Sequence, residues 1–251
     1  MIREHIFSAR TPTDPHFRWR GGAVSRLEGL SDAAFAFSMS FLLVDTFTNI
    51  ESAQLLYACL RELPVLAACF AMLLWIWYLH YQFFRRYGLE DSYTVFLNTV
   101  LMFTILVYVY LLKFIFTYVL RHLIYGEPLP PEDRGSFDGN QILWIYGAGF
   151  ILIFVLLALM VHDAYRKREQ LQLDEVEVVI TRSNRGLFLW IAAVGLVSIG
   201  ITLTAPLFPD HEGLVPGIAG MSYALIGPVS FWRGLRQGRQ VEAALAKQSS
   251  S

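Results

Sequence analysis

Three polar side chains interrupt apolar stretches of the sequence and are the residues best suited to chemistry. Asp32 follows Ser31 in the first stretch, His80 lies near the end of the second, and Asn98 lies near the start of the third. A carboxylate and an imidazole can pass protons between them, and with an amide and a hydroxyl they can also form a hydrogen-bond network that locks helices together. Which of these applies depends on the segments that hold them.

The composition indicates that these segments belong to a membrane protein. Of the 251 residues, 55% are hydrophobic and 16% are charged, whereas about a quarter of a soluble domain is charged. The net charge of -1 gives no basic signature, so nucleic acid is not an expected partner. Cys59 and Cys69 lie without His or Cys at metal-ligand spacing and are expected to be small buried apolar side chains. Residues 1–23 are polar, so we expect no cleavable signal peptide.

Six stretches are apolar and long enough to cross a bilayer, which takes about 20 residues per helix. They run over residues 25–45, 63–84, 93–120, 141–161, 187–206 and 214–232. Pro64 and Pro206 agree with the start of the second and the end of the fifth, and Pro216 and Pro228 are expected to bend the sixth. The sequence therefore predicts an all-α integral membrane protein with six transmembrane helices per subunit. Its parts are an N-terminal tail (1–23), a transmembrane domain (24–235) and a C-terminal tail (236–251).

Basic residues predict the orientation of these helices. With the N-terminus inside, only Arg61, Arg121 and Arg134 among the arginines fall outside. The positive-inside rule then places both termini in the cytoplasm and the protein in the inner (plasma) membrane as a multi-pass protein. The inner loop 163–186 is expected to extend the fourth helix and then to lie at the interface. Lys113 is expected to reach the outer interface or to pair with a carboxylate in a neighbouring helix.

The three polar residues are expected to share one depth. Ser25 and Glu28 match a capping box at the start of the first helix, so Asp32 lies roughly 10 Å inside the membrane. His80 and Asn98 lie at similar depths in the next two helices. A hydrogen-bond network is favoured over a proton relay because the polar groups lie near one face and no chain of acids continues across.

The same residues carry a family resemblance. Arg26, Leu30, Ser31 and Asp32 resemble the R-x-x-x-F-S-D signature of the transmembrane protein 175 family, with Leu30 in place of Phe. Trp77 and His80 resemble the W-x-x-H segment of that family, and Asn98 resembles the Asn of its third helix. The clear match covers about the first 120 residues. The remaining helices agree mainly in number and length.

The resemblance implies a function and an assembly. It implies a bacterial homotetramer that conducts potassium ions, and other monovalent cations are further candidates. The first helix of each subunit would line the pore, and no cofactor is expected. Phe37 would form the constriction, Ser40 would help selectivity, and Val44 would add a further apolar ring. The supporting hydrogen-bond network would consist of Arg26, Ser31, Asp32, Trp77, His80 and Asn98.

Helix geometry is compatible with this assignment. At about 100° per residue, Phe37, Ser40 and Val44 fall within a sector of roughly 60°, and Asp32 lies about 80° to 140° away. One helix can therefore present a pore face and a network face. Phe37 departs from the family pattern, which has Ile or Leu there, and four phenyl rings on one axis would narrow the pore.

Three alternatives follow from the residues alone. A proton-coupled transporter would use Asp32 and His80, and a non-conducting relative would have a structural role. Ordinary helix packing would also explain small and aromatic residues on the first helix. An enzyme is not expected, because the chain has neither an H-E-x-x-H nor a G-x-S-x-G motif.

Overall fold

The computed structural model describes residues 10–11, 14–48, 51–127, 139–207 and 214–249. The remaining positions of the predicted tails, and Arg134, lie outside these residues. The elements in chain order are β1 (Arg10–Thr11), β2 (Asp14–Arg18), α1 (Arg26–Thr46), α2 (Ala53–Arg61), α3 (Leu63–Tyr87), α4 (Ser92–Tyr118), α5 (Gly139–Arg166), α6 (Glu175–Thr202), α7 (Leu214–Met221) and α8 (Ile226–Ser249). A π-helical turn, Val119–Ile124, continues α4.

Capping residues explain where the helices begin and end. The Ser25 hydroxyl accepts the Glu28 N–H at 3.1 Å and starts α1. Asp174 and Glu177 form a complete capping box at the start of α6. Gly88 ends α3 at a φ of 59°, a left-handed conformation that favours glycine. These local signals fix the limits of the helices independently of the apolar residues between them.

Five helices of the described chain are long and apolar enough to cross a membrane: α1, α3, α4 with its continuation to Arg121, α5 and α6. The sixth predicted stretch is divided into α7, a 3-10 turn at Ser222–Leu225, and α8. The break therefore falls between Pro216 and Pro228, the two prolines that predicted a bend. The helical character of the protein is as predicted, whereas the sixth predicted stretch is not a single continuous helix.

The predicted inner loop is shorter than expected. α5 ends at Arg166, and α6 begins at Glu175 instead of near residue 187. The segment that was expected to lie at the interface forms the first part of α6, because the capping box at Asp174 starts this helix early. Val176 and Ile180 in this segment are buried. Likewise, the predicted C-terminal tail is helical as far as Ser249. Cys69 is buried as expected, while Cys59 is only partly buried.

Residues 14–21 are packed against the helices, although the sequence predicts a tail over 1–23. β1 and β2 form a small antiparallel hairpin, so the fold is not purely helical. Phe17 has no exposed surface, and its ring meets that of Tyr87 edge-on at 5.5 Å. The N–H groups of Arg20 and Gly21 both donate to the Arg85 carbonyl, at 3.1 and 3.0 Å. This segment, Asp14–Gly21, is called the N-terminal strap below.

The helices share one apolar core. α5 and α6 form the largest helix–helix contact, α4 packs on α5, and α1 packs on α4 and α3. Leu73, Leu101, Leu112 and Ile153 have no exposed surface. α1 thus lies at the edge of the bundle and contacts it from one side.

The turn between α3 and α4 is tied to the end of α5. Asp91 caps α4 by accepting the N–H groups of Tyr93 and Thr94, and the Lys167 ammonium lies 2.8 Å from its carboxylate. Partial burial acts to raise the pKa of Asp91, but the hydrogen bonds from Lys167 and Thr94 outweigh it and hold that pKa below its ordinary value. The carboxylate therefore remains charged at neutral pH and holds the two segments together.

Candidate functional site

α1 presents two different faces. Its buried residues recur at intervals of three and four along one side and are Glu28, Ser31, Phe35, Ser38 and Leu42. The opposite side includes Phe37 and Val44, which are 63% and 64% exposed, and the exposed Ser40. The spacing of the buried residues is typical of a helix that packs one face against a core. The other face has no cover from the described part of its own chain.

A buried hydrogen-bond network joins α1, α3 and α4. The Asn98 amide N–H₂ donates to the Ser31 hydroxyl at 2.8 Å, and that hydroxyl donates to the Leu27 carbonyl at 2.9 Å. His80 Nε2 lies 2.7 Å from the Asn98 amide oxygen. Because a carbonyl oxygen can only accept, Nε2 carries the hydrogen. The structure thus brings together three of the six predicted network residues.

Asp32 and Trp77 form a second link between α1 and α3. The Trp77 indole N–H donates to the Asp32 carboxylate at 2.8 Å, and the Trp77 ring stacks on Tyr81 with centroids 5.5 Å apart. His80 is instead bonded to Asn98. The two groups that a proton relay would use therefore have separate partners.

Arg26 lies apart from these links. It is exposed, and no hydrogen bond or ion pair in the described part of the chain joins its guanidinium to the other five network residues. The prediction grouped it with them because it is close to Ser31 and Asp32 in sequence. The guanidinium that contacts the first turn of α1 belongs instead to Arg85 of α3.

Arg85 of α3 forms a buried ion pair with Glu28 that the sequence analysis missed. Its Nε donates to Glu28 Oε1 at 3.0 Å, one Nη donates to Glu28 Oε2, and the other donates to the Gly22 carbonyl at 3.1 Å. Both side chains are at most 7% exposed. Antiparallel helices place the first turn of α1 beside the last turn of α3, and that geometry is the signal that would have found the pair. Removing one partner of such a pair would leave a buried charge.

The exposed face of α1 carries the predicted pore residues. Phe37 and Phe41 have ring centroids 6.5 Å apart, and Phe41 packs on Tyr110 of α4 at 4.8 Å. The Ser40 hydroxyl donates to the Ala36 carbonyl at 2.9 Å. Since its hydrogen is used within the helix, its oxygen lone pairs remain free to accept or to coordinate a cation.

An ion pair holds the C-terminal end of α1. The Lys113 ammonium contacts the Asp45 carboxylate. Lys113 therefore pairs with a carboxylate of a neighbouring helix, one of the two arrangements expected from the sequence. Together with the Glu28–Arg85 pair at the N-terminal end of α1 and the Ser31–Asn98–His80 network between them, this pair fixes the rotation of α1 about its own axis.

Three comparisons with known proteins agree on a family. The model of the endosomal/lysosomal potassium channel TMEM175 family matches residues 26–108. A protein of Marivirga tractuosa named "Potassium channel" is 35% identical over 209 residues, which cover 80% of this chain and 83% of that protein.

The fold agrees with a solved member of this group. The crystal structure of a variant of the potassium channel MtTMEM175, in complex with a nanobody–MBP fusion protein, matches with a TM-score of 0.76 and 32% identity. The match covers 90% of this chain and 98% of that one. These findings define a multi-pass membrane protein of a channel class. The chain belongs to the TMEM175 family, as the signature residues predicted.

Proposed function

We propose that this protein is a potassium-permeable cation channel of the inner membrane, in which α1 from each of four subunits lines the pore. The observation that carries the proposal is the two-faced character of α1. One face is fixed to α3 and α4 by buried polar links, and the other leaves Phe37, Ser40 and Val44 uncovered. The names of the Marivirga relative and of the structural neighbour supply the ion.

Six crossings per subunit would put both termini on the same side of the membrane, and the distribution of arginines favours the cytoplasmic side. The segment 214–232, with α7 and the first part of α8, is about 28 Å long at 1.5 Å per residue, enough for one bilayer core despite its 3-10 turn. Arginines then cluster on the inner side, at Arg20 before α1, at Arg85 and Arg86 in the last turn of α3, and at Arg233 and Arg236 on α8. This distribution follows the positive-inside rule.

The exposed face of α1 combines apolar side chains with one hydroxyl group, as a hydrophobic pore that coordinates cations would require. Rings of Phe37 and Val44 around a common axis would make apolar constrictions, which gate by excluding water. Ser40, less than one turn beyond Phe37, would offer oxygen atoms to a cation that has lost part of its hydration shell. Ions other than potassium that tolerate the same dehydration would also pass.

The remaining predicted residues have a supporting role. Ser31, His80 and Asn98 form one buried network, and Asp32 and Trp77 form another link. These are short local links between adjacent helices, so they favour a structural role over a proton pathway. A proton-coupled transporter remains the contrasting hypothesis for Asp32 and His80.

Ion flux into proteoliposomes tests the proposal. Purified protein of tetrameric mass is reconstituted, and potassium uptake driven only by its gradient is compared with empty liposomes. Passive uptake supports a channel. Uptake that requires an imposed pH gradient would identify a transporter, and no uptake from intact tetramers would identify a non-conducting relative.

A further inference from the structure

A groove between α6 and α8 lies on a different part of the molecule from α1. It has a volume of about 600 Å³. Its lining includes Arg182, Ser183, Gly186, Trp232, Arg233 and Arg236. None of these residues contributes to the pore face or to its supporting network.

The arginines of this groove have no acidic partners in the described chain. Arg20, Arg85 and Arg86 form close ion pairs, whereas Arg233 and Arg236 form none among the described residues. Glu175 also lines the groove, but it lies eleven residues along α6 from Gly186, about 16 Å. The groove therefore has an excess of positive charge near Gly186.

Packing holds the guanidinium groups in place. A Cβ atom at Gly186 would lie 2.9 Å from Arg233 Nη1, so the absence of a side chain lets this guanidinium rest on α6. The Arg236 guanidinium lies 3.6 Å from the centroid of the Trp232 ring. The Ser183 hydroxyl donates to the Gln237 side chain at 3.0 Å and joins the two helices. Guanidinium groups held by stacking keep their N–H donors available for an anion.

The groove begins where the apolar parts of both helices end. The apolar stretch of α6 starts at Leu187, directly after Gly186, and that of α8 ends at Trp232, directly before Arg233. Trp at such a boundary, followed by arginines, is typical of the level of the lipid headgroups. Juxtamembrane arginines on the cytoplasmic side attract anionic lipids.

We propose that this groove binds the phosphate group of an anionic phospholipid from the cytoplasmic leaflet. The proposal rests on the orientation given under the proposed function, which places this end of α6 and α8 inside. The lipid phosphate would accept from Arg233 and Arg236, while its acyl chains follow the apolar surface beyond Trp232. The bound lipid would bridge α6 and α8.

Lipid retention by the purified protein tests this site without any measurement of ion flux. Native mass spectrometry compares phosphatidylglycerol with phosphatidylcholine of identical acyl chains. We expect the protein to retain phosphatidylglycerol preferentially. Arg233→Gln and Arg236→Gln should each lower that retention about five-fold, as expected for one basic residue near an anionic headgroup.

Arg239→Gln provides the matched control, because Arg239 is exposed on the same helix and lies outside the groove lining. It should retain the lipid like the wild type. Thermal midpoints close to that of the wild type establish that each variant is folded. Arg236→Gln serves as the second variant, since Arg236 is the more exposed of the two arginines.

Three outcomes would overturn the proposal. They are equal retention of the two lipids, an equal loss in Arg239→Gln, and displacement of the lipid by submillimolar inorganic phosphate, which would identify a site for a soluble anion. Because retention does not depend on conduction, a channel that fails the flux assay can still pass this one.

Discussion

Buried polar side chains determine which way α1 faces. Ser31, His80 and Asn98 are at most 1% exposed. Leaving such a polar group without a hydrogen bond in apolar surroundings costs about 2–7 kcal/mol of free energy. Ser31 and Asn98 find their partners across helices in only one rotation of α1. That rotation also turns Phe37 and Val44 outward, so the network and the uncovered face are consequences of one arrangement.

Phe37→Ala is expected to raise potassium flux several-fold, because four phenyl rings on one axis would be the main obstacle to a hydrated ion. Gradient-driven uptake into proteoliposomes measures the effect. Leu43→Ala is the matched control, since Leu43 is a 46% exposed residue of the same helix but lies roughly 90° from the middle of the Phe37–Ser40–Val44 sector. Equal flux in Phe37→Ala and the wild type would place the constriction elsewhere.

Depth along antiparallel helices made the polar network predictable from the sequence. Asp32, His80 and Asn98 were expected at one level, with Ser31 as a possible partner. His80 and Asn98 do lie in contact, but Asn98 bonds to Ser31 and Asp32 bonds to Trp77. The Glu28–Arg85 pair was missed because each residue had an adequate local explanation, one as part of a cap and the other as a cytoplasmic arginine. The position of Arg26 was also not predictable, since nearness in sequence does not tell which side of a helix a long side chain follows.

The N-terminal strap connects three helices, because it packs on the end of α3 and the start of α6 and leads into α1. Arg20 contacts Glu177 of α6 through an ion pair that is at most 13% exposed, and its Nε donates to the Leu171 carbonyl at 2.6 Å. Arg86 of α3 pairs with Asp14 at 2.8 Å. The strap leads directly into α1 at Ser25, so its contacts position the base of that helix relative to α3 and α6.

Gly21→Ala is expected to destabilise the protein. A Cβ atom at this position would lie 2.4 Å from the Phe84 carbonyl oxygen, which is part of the backbone and cannot rotate away. Relief of the clash would pull the strap from α3 at a cost of about 1–3 kcal/mol, the usual range for overpacking. A thermal melt of the purified protein in detergent should show a lower midpoint.

Gly22→Ala is the control for this change, because a Cβ atom there would meet nothing within 4 Å. Its midpoint should equal that of the wild type. If both variants melt alike, the close approach of the strap to α3 contributes little to stability.

Hydropathy and caps made most of the helices predictable, but not the strap. The starts of α1, α3 and α4 follow from Ser25, Pro64 and Asp91, which act locally. The strap depends on pairs such as Arg20 with Glu177, 157 positions apart, and a polar arginine-rich segment gives no local indication of such a partner. The early start of α6 was predictable in principle from the capping box at Asp174, which lies before a stretch of mixed charge.

In a single subunit, the described residues leave one apolar face of α1 exposed. Leu30, Phe37 and Val44 recur at intervals of seven and are 66%, 63% and 64% exposed. A seven-residue apolar repeat is suited to contact between like helices around an axis. In the proposed pore, Ser40 on the same face would offer its hydroxyl oxygen to a cation.

When the assembled pore is open and hydrated, position 44 should be accessible to a polar reagent. In a Val44→Cys variant, a positively charged methanethiosulfonate reagent should add to the thiol and reduce potassium flux, because a thiolate needs water to form. Leu43 is also exposed in the subunit but lies roughly 90° around α1 from the middle of the Phe37–Ser40–Val44 sector. A Leu43→Cys variant should therefore remain unmodified if that sector faces the pore. Intact mass spectrometry counts the added groups, with the wild type as baseline for Cys59 and Cys69. Modification of Leu43→Cys but not of Val44→Cys would place a different face of α1 toward the pore and would require another arrangement of the subunits.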